Sequence, residues 1–265
     1  MDRQPAVAGR FYTDDRAALI REVDGFLAGA TGPKVRALGI VAPHAGYVYS
    51  GAVAGAVYGR VDVPDRAIVM GPNHTGMGIR IALWPGGAWR LPSGNVSVDP
   101  SLTSSLAASP LVREDRDAHV AEHSLEVQLP VLDRARPGIS IAALCLAHLS
   151  FADCEALGKD VARVARSSGA LVVASSDMSH YVPATVAREK DRLAIDRMLS
   201  LDARGLYDVV HREGITMCGV IPATVMLVAA REMGAKRAEL TRYGHSGEVT
   251  GDTRQVVGYA GIVVE

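Results

Sequence analysis

Apolar residues in this chain fall into blocks of two kinds. Short runs rich in Val, Ile and Ala occur at 37–43 (ALGIVAP), 66–72 (RAIVMGP), 139–147 (ISIAALCLA) and 170–176 (ALVVASS). A last pair, RAELTRY and QVVGYAGIVV, closes the chain. Runs of this length, with no clean polar alternation, suit strands covered on both faces. Between them lie segments with helical spacing: GAVAGAVYGRV, EHSLEVQLPVLDRA, ADCEALGKDVARVARSS, ATVAREKDRLAIDRMLS and VIPATVMLVAAREMG. The stretch RIALWPGGAWRLPSGNVSVD reads instead as short strands around Gly/Pro turns, an antiparallel insert. No repeat, low-complexity tract or long linker interrupts the alternation. The pattern predicts one α/β domain over residues 1–265, three layers (α/β/α) around a mostly parallel, mixed central sheet.

Composition narrows the function classes. The chain has 265 residues, 48% of them hydrophobic, enough for a sizeable core. Its 28 basic and 29 acidic residues are spread along the chain for a formal net charge of −1. No Lys/Arg block marks a nucleic-acid footprint, and no basic amphipathic helix marks a membrane surface. The N-terminal stretch lacks the apolar core of a signal peptide, and no run approaches the roughly 20 residues needed to span a bilayer. The expectation is a soluble, cytoplasmic protein. Three cysteines, an odd number without paired spacing, do not form a disulfide framework.

Candidate chemistry gathers where apolar runs stop. His44 follows the first run, in GIVAPHAGYVYSG, and His74 follows the second, in AIVMGPNHTGMG. Asp177 and His180, in VVASSDMSHY, follow another, and His148 a fourth. Ligands of open α/β sheets bind beyond the carboxyl ends of the strands. One histidine there is more often a cap than a ligand; four strand ends carrying His or Asp point to a site. Imidazoles drawn from separate strands suit a metal. For a third donor the chain offers Asp177, as in two-His, one-carboxylate iron sites, or Cys218, in a Gly-containing loop that opens a helix. Cys145 reads as strand packing and Cys154 as a residue near a helix start. HVAEH (119–123) matches the H-x-x-E-H pattern of inverted zinc peptidases, which needs its first histidine within a helix. Here the helix is expected to start near Ala121 or Glu122, leaving His119 in a loop. Glu122 then reads as a helix N-terminal acid, His123 points to the cleft, and Glu126 belongs to a solvated or packed face.

The segments RQPAVAGRFY, APHAGYVYSG, GPNHTG, EHSLEVQLPVL, SSDMSHY, CGVIPATVM and VVGYAGIVV together resemble the Memo family, which includes AmmeMemoRadiSam system protein B. The resemblance runs in order along nearly the whole chain. It implies a fold like that of the class III extradiol dioxygenases, with a metal held by His44, His74 and Cys218. It also implies that Asp177, His180 and His123 line the same pocket, His180 being the candidate proton donor. Fe(II) is the leading metal, with Cu and Zn as alternatives that a sulfur ligand favours. Radical-SAM and AMMECR-like partner proteins are implied by the family alone. Two places depart from its pattern: LPSG stands at 91–94 where TPLG is usual, and GHSGE puts His245 where an amide is expected, read here as an exposed loop residue. Three functions are compatible with these residues: a dioxygenase-like oxidoreductase, a binding or redox-regulatory scaffold that retains the pocket, and a zinc-dependent hydrolase.

Overall fold

A computed structural model describes all of residues 1–265. Eleven strands form one sheet: β1 (Gly39–Ala42), β2 (Arg66–Pro72), β3 (Ile81–Leu83), β4 (Ala88–Leu91), β5 (Gly94–Val98), β6 (Arg113–Glu114), β7 (Ser140–Leu146), β8 (Leu171–Ser175), β9 (His180–Val182), β10 (Ala238–His245) and β11 (Val256–Val264). The helices are α1 (Arg16–Ala28), α2 (Tyr47–Tyr58), α3 (Pro100–Ala107), α4 (Asp117–Val120), α5 (Gln128–Ala135), α6 (Phe151–Ser168), α7 (Ala184–Leu199), α8 (Ala203–Arg212), α9 (Val220–Met233) and α10 (Gly247–Thr250). The main strand order is β10-β11-β1-β8-β2-β7-β3-β6. Its centre, β1-β8-β2-β7, is parallel, and β11 and β3 flank it antiparallel.

Each central strand divides its side chains between two cores. Val41, Ile68, Met70, Leu144 and Val172 face α3, α6, α7, α8 and α9. Ile40, Val69, Ile141, Ala143 and Val173 face the layer built from α1, α2, α5 and the β4–β5 hairpin. Because both faces are covered, the strands carry apolar residues at every position, and the sequence shows runs where a half-exposed sheet would show alternation.

The apolar runs coincide closely with the strands they predict, but five helices were not evident in the apolar pattern: α1, α3, α8 and the four-residue α4 and α10. In α1 only Leu19 and Val23 are fully packed. Helix α3 carries its own start signal, Asp99 accepting from Ser101 N and Leu102 N with Pro100 in the first turn. Helix α8 is likewise capped, by Asp202. The insert forms an antiparallel β4–β5 hairpin as expected, yet β5 also joins the main sheet parallel to β7. One helix is shorter than its spacing implies: α5 starts at Gln128, and residues 121–127 are turns and irregular backbone.

Register places the site. Ala42 of β1 lies opposite Ser175 of β8, and Ala174 of β8 lies opposite Met70 of β2. The turns after these three adjacent strands therefore leave the sheet side by side, about 4.8 Å apart. They carry His44, Asp177 and His74.

Candidate metal centre

A cleft of about 710 Å³ opens at these strand ends. His44, His74, His123, Asp177 and His180 line it. Phe11, Tyr49, Tyr181 and Tyr259 add aromatic walls, Tyr181 from a backbone held in the left-handed region (φ 57°). One ligand atom from each of His44, His74 and Cys218 lies within 4.8 Å of the others, a group able to hold a metal ion. A second group, His74, Glu122 and His123, meets the same limit.

Hydrogen bonds settle which nitrogen each imidazole offers. Ser175 Oγ donates to Ser124 O at 2.6 Å, so its only hydrogen is committed. It accepts from Gln128 Nε2 at 2.8 Å and must also accept from His44 Nδ1, at 2.8 Å. The orientation of Gln128 follows from its neighbours, since Nε2 faces Ala42 O and Pro43 O while Oε1 accepts from Tyr58. His44 therefore carries its proton on Nδ1 and turns a free Nε2 toward Cys218 Sγ, 3.3 Å away. His74 behaves alike: Nδ1 is 2.9 Å from Glu122 Oε1, leaving Nε2 free. In His180, Nδ1 donates to Thr216 O at 2.9 Å, again freeing Nε2. A metal-binding histidine commonly has its second nitrogen tied in this way.

Glu122 organises the next turn. Its carboxylate accepts from His74 N, His74 Nδ1, His123 N and Ser124 N. Burial pushes the carboxyl up, but the hydrogen bonds from His74 and from the Ser124 N–H outweigh that and hold it at about 2. Glu122 thus stays ionised in the turn ahead of α5, not as the first acid of a helix. Asp177 is buried and pushed up to about 6 by that burial, although the His44 and Ala45 N–H groups favour its charge. His44 is held well below the usual imidazole range by burial and by His123, His74 and His180 around it. His123, stacked on His74 with centroids 4.5 Å apart, is lowered to about 4, chiefly by burial.

Cys218 is half-buried at the start of α9, where the helix dipole favours a thiolate, but its other surroundings act the opposite way. Removal from water pushes the thiol up, and the Asp177 carboxylate adds to that. A bound cation would reverse the balance. The close approach depends on Gly219, where a Cβ would lie 2.3 Å from Ser175 O and 2.4 Å from Ser176 Cβ. Only glycine lets the start of α9 press against the end of β8. Gly71 does the same for β2, since a Cβ there would meet Ser124 Oγ at 2.5 Å.

Other candidates lie elsewhere. His148 is exposed, its ring 5.9 Å from His211, and takes no part in the cleft. His119 is not in a loop: it lies in the short helix α4, fully buried, packed between Trp84 and Trp89 with Nε2 on Ala82 O. HVAEH therefore assembles no peptidase site. Glu126 is not solvated but fully buried, paired with Arg3. His245 ends β10 and is buried, not an exposed loop residue. Cys145 packs within β7, and Cys154 is buried in α6 with its thiol pushed up to about 12 by burial. Ser175, Glu122 and Gln128 carry the orienting network, and of these only Glu122 was visible as a candidate in the sequence. No helix is long and apolar enough to cross a membrane.

Residues 3–263 match the family described as "Memo: Memo-like protein". The chain belongs to the Memo family. A MEMO1 family protein of Aquifex aeolicus is 41% identical over 262 residues, covering 98% of each chain. One from Methanosarcina barkeri is 42% identical over 266 residues, covering 99% of this chain and 100% of the relative. Among solved structures, an uncharacterized protein from Escherichia coli K12, JW3007, superposes with a TM-score of 0.57 at 14% identity. That match covers 85% of this chain and 99% of the other, and it bears on the fold alone.

Proposed function

We propose that this Memo-family chain is a non-haem metal-dependent oxidoreductase, dioxygenase-like, acting on a small substrate for which an aromatic ring is the leading candidate. The observation that carries this reading is the convergence of His44, His74 and the Cys218 sulfur, one ligand atom from each within 4.8 Å of the others, with the Nδ1 atoms of both imidazoles already hydrogen-bonded. His44, His74 and Cys218 would hold the ion. Fe(II) is the leading candidate, and the sulfur donor keeps Cu and Zn as alternatives. A redox-active ion there would supply the electron transfer that no side chain in the cleft provides.

The chain's own residues do the rest. Phe11 and Tyr49 offer aromatic faces against which a flat substrate can stack. His180 holds a free Nε2 on the cleft wall, able to take a proton from a substrate hydroxyl and return it later. Asp177, raised to about 6 by burial, can exchange a proton near neutral pH while its Oδ1 fixes the His44 backbone.

Metal analysis of anaerobically purified protein tests the reading. Wild type should carry one first-row ion per chain, and His44→Ala should lose it with its secondary structure intact. Oxygen uptake with catechol-type probes should then appear in the loaded wild type only. A metal-free wild type that cannot be reloaded would sink the proposal. A second reading, a binding protein that keeps the pocket, rests on the exposed Tyr181 and Tyr49 at the cleft mouth. It requires ligand affinity that survives removal of the metal.

A further inference from the structure

The N-terminal segment crosses the back of the site and is tied to it by an ion pair buried on both sides. Arg3 and Glu126 have side-chain exposures of 2% and 0%. A pair so fully removed from water gains little stability over apolar residues of the same size, which leaves room for a positioning role. Arg3 lies over the Trp89 ring, 4.3 Å from its centroid, and its fork spans a whole turn of chain. Nε donates to His119 O at 3.1 Å, Nη2 to Glu122 O at 2.5 Å, and Nη1 to the Glu126 carboxylate. Glu126 in turn accepts from Ala6 N, Val7 N and the Tyr12 hydroxyl, at 2.8, 3.1 and 2.6 Å. The segment then reaches the other histidine turn. Phe11 O accepts from Tyr47 N at 2.7 Å, three residues beyond His44, and the Phe11 ring packs on His123 with centroids 4.7 Å apart.

We infer that residues 3–12 act as a strap whose Arg3–Glu126 pair positions the donor set by fixing the turn that carries Glu122. Glu122 is the group that aims His74, so a shift of its backbone is passed directly to the His74 ring. Arg3 touches neither the cleft nor any donor; it is a positioning residue. The inference rests on the metal reading above.

The test uses Arg3→Lys, which keeps the buried charge but cannot span both carbonyls, and the double variant Arg3→Met with Glu126→Gln, which removes both charges together. Val161→Ala in α6, on the opposite face of the sheet, serves as a purely destabilising control. Metal-free, anaerobic proteins are titrated with Co(II) alone, following the sulfur-to-cobalt charge-transfer band and the visible bands. Both Arg3 variants should bind Co(II) about 10–100-fold more weakly and with shifted visible bands, the range typical of losing an outer partner of a metal ligand. Val161→Ala should lower the thermal midpoint and leave Co(II) affinity unchanged. Wild-type affinity and bands in Arg3→Lys and the double variant overturn the inference, as does an equal loss of affinity in Val161→Ala. Should the double variant fail to fold, Arg3→Lys decides alone. A wild type with no sulfur-to-cobalt band removes the metal reading itself, and the strap's role with it.

Discussion

At Ser175, one hydroxyl decides which nitrogen of His44 is free. Its hydrogen goes to Ser124 O, so it can only accept from the imidazole. Ser175→Ala would release His44 to populate the other tautomer. We expect metal affinity to fall by about 10–100-fold with the fold retained, read by competition against a chelator of known affinity. His180 makes a contrasting case, because it lines the cleft but lies outside the His44–His74–Cys218 group. His180→Gln should keep the ion and slow turnover by roughly 10²–10⁴-fold. Metal content and rate measured on one preparation separate the roles: a variant that loses its metal makes His180 a ligand, and one that turns over normally makes it only a wall.

Between elements, the decisive contact is that of the α9 start with the end of β8. Gly219 permits it, and the hydrogen bond from Gly219 N to Ser176 Oγ at 3.1 Å holds it. Since the obstructing atoms include backbone, a methyl group cannot be absorbed by a side-chain turn. Gly219→Ala should therefore push Cys218 away from His44 and cost about 1–3 kcal/mol of stability. Urea unfolding measures the second effect, and loss of the sulfur-to-cobalt band measures the first. Unchanged stability and band would show that α9 has slack the close contact denies. Helix α4 gives the complementary lesson. Its His119 has the residue type of a ligand, but two tryptophans enclose it and its Nε2 is spent on Ala82 O.

For the molecule as a whole, buried histidines link the fold to acid. Burial lowers His119 to about 4, partly offset by the bond to Ala82 O. An unfolded chain titrates its histidines near 6.5, so on acidification the unfolded state takes up the proton first. The sign follows: His119 contributes nothing adverse above pH 6.5, and stability falls as pH drops from there toward 4, by about 3 kcal/mol at most. His44 and His123, also lowered by burial, act in the same direction. Urea unfolding of metal-free protein at pH 7 and pH 4.5 should show this loss. The loss should be smaller by about 2 kcal/mol in His119→Gln. An identical pH response in the variant would mean that His119 is protonated without cost.

The apolar runs alone determined the central strands β1, β2, β7 and β8, because a strand buried on both faces must be apolar at nearly every position. They also placed His44, His74 and Asp177 immediately after strands, where turns carry function. The nearness of Cys218 came from family resemblance, since nothing local links residue 218 to residue 44. Tertiary pairing decided the rest. Inserting β8 between β1 and β2 sets three turns side by side and brings Ser175 beneath His44. The same packing excludes His148, which also follows a strand, buries His119, which the local pattern put in a loop, and selects the packed over the solvated face for Glu126. Strand-end chemistry is local and legible, whereas a hydrogen-bond partner such as Arg3 for Glu126, 123 positions away, exists only once the chain has closed on itself.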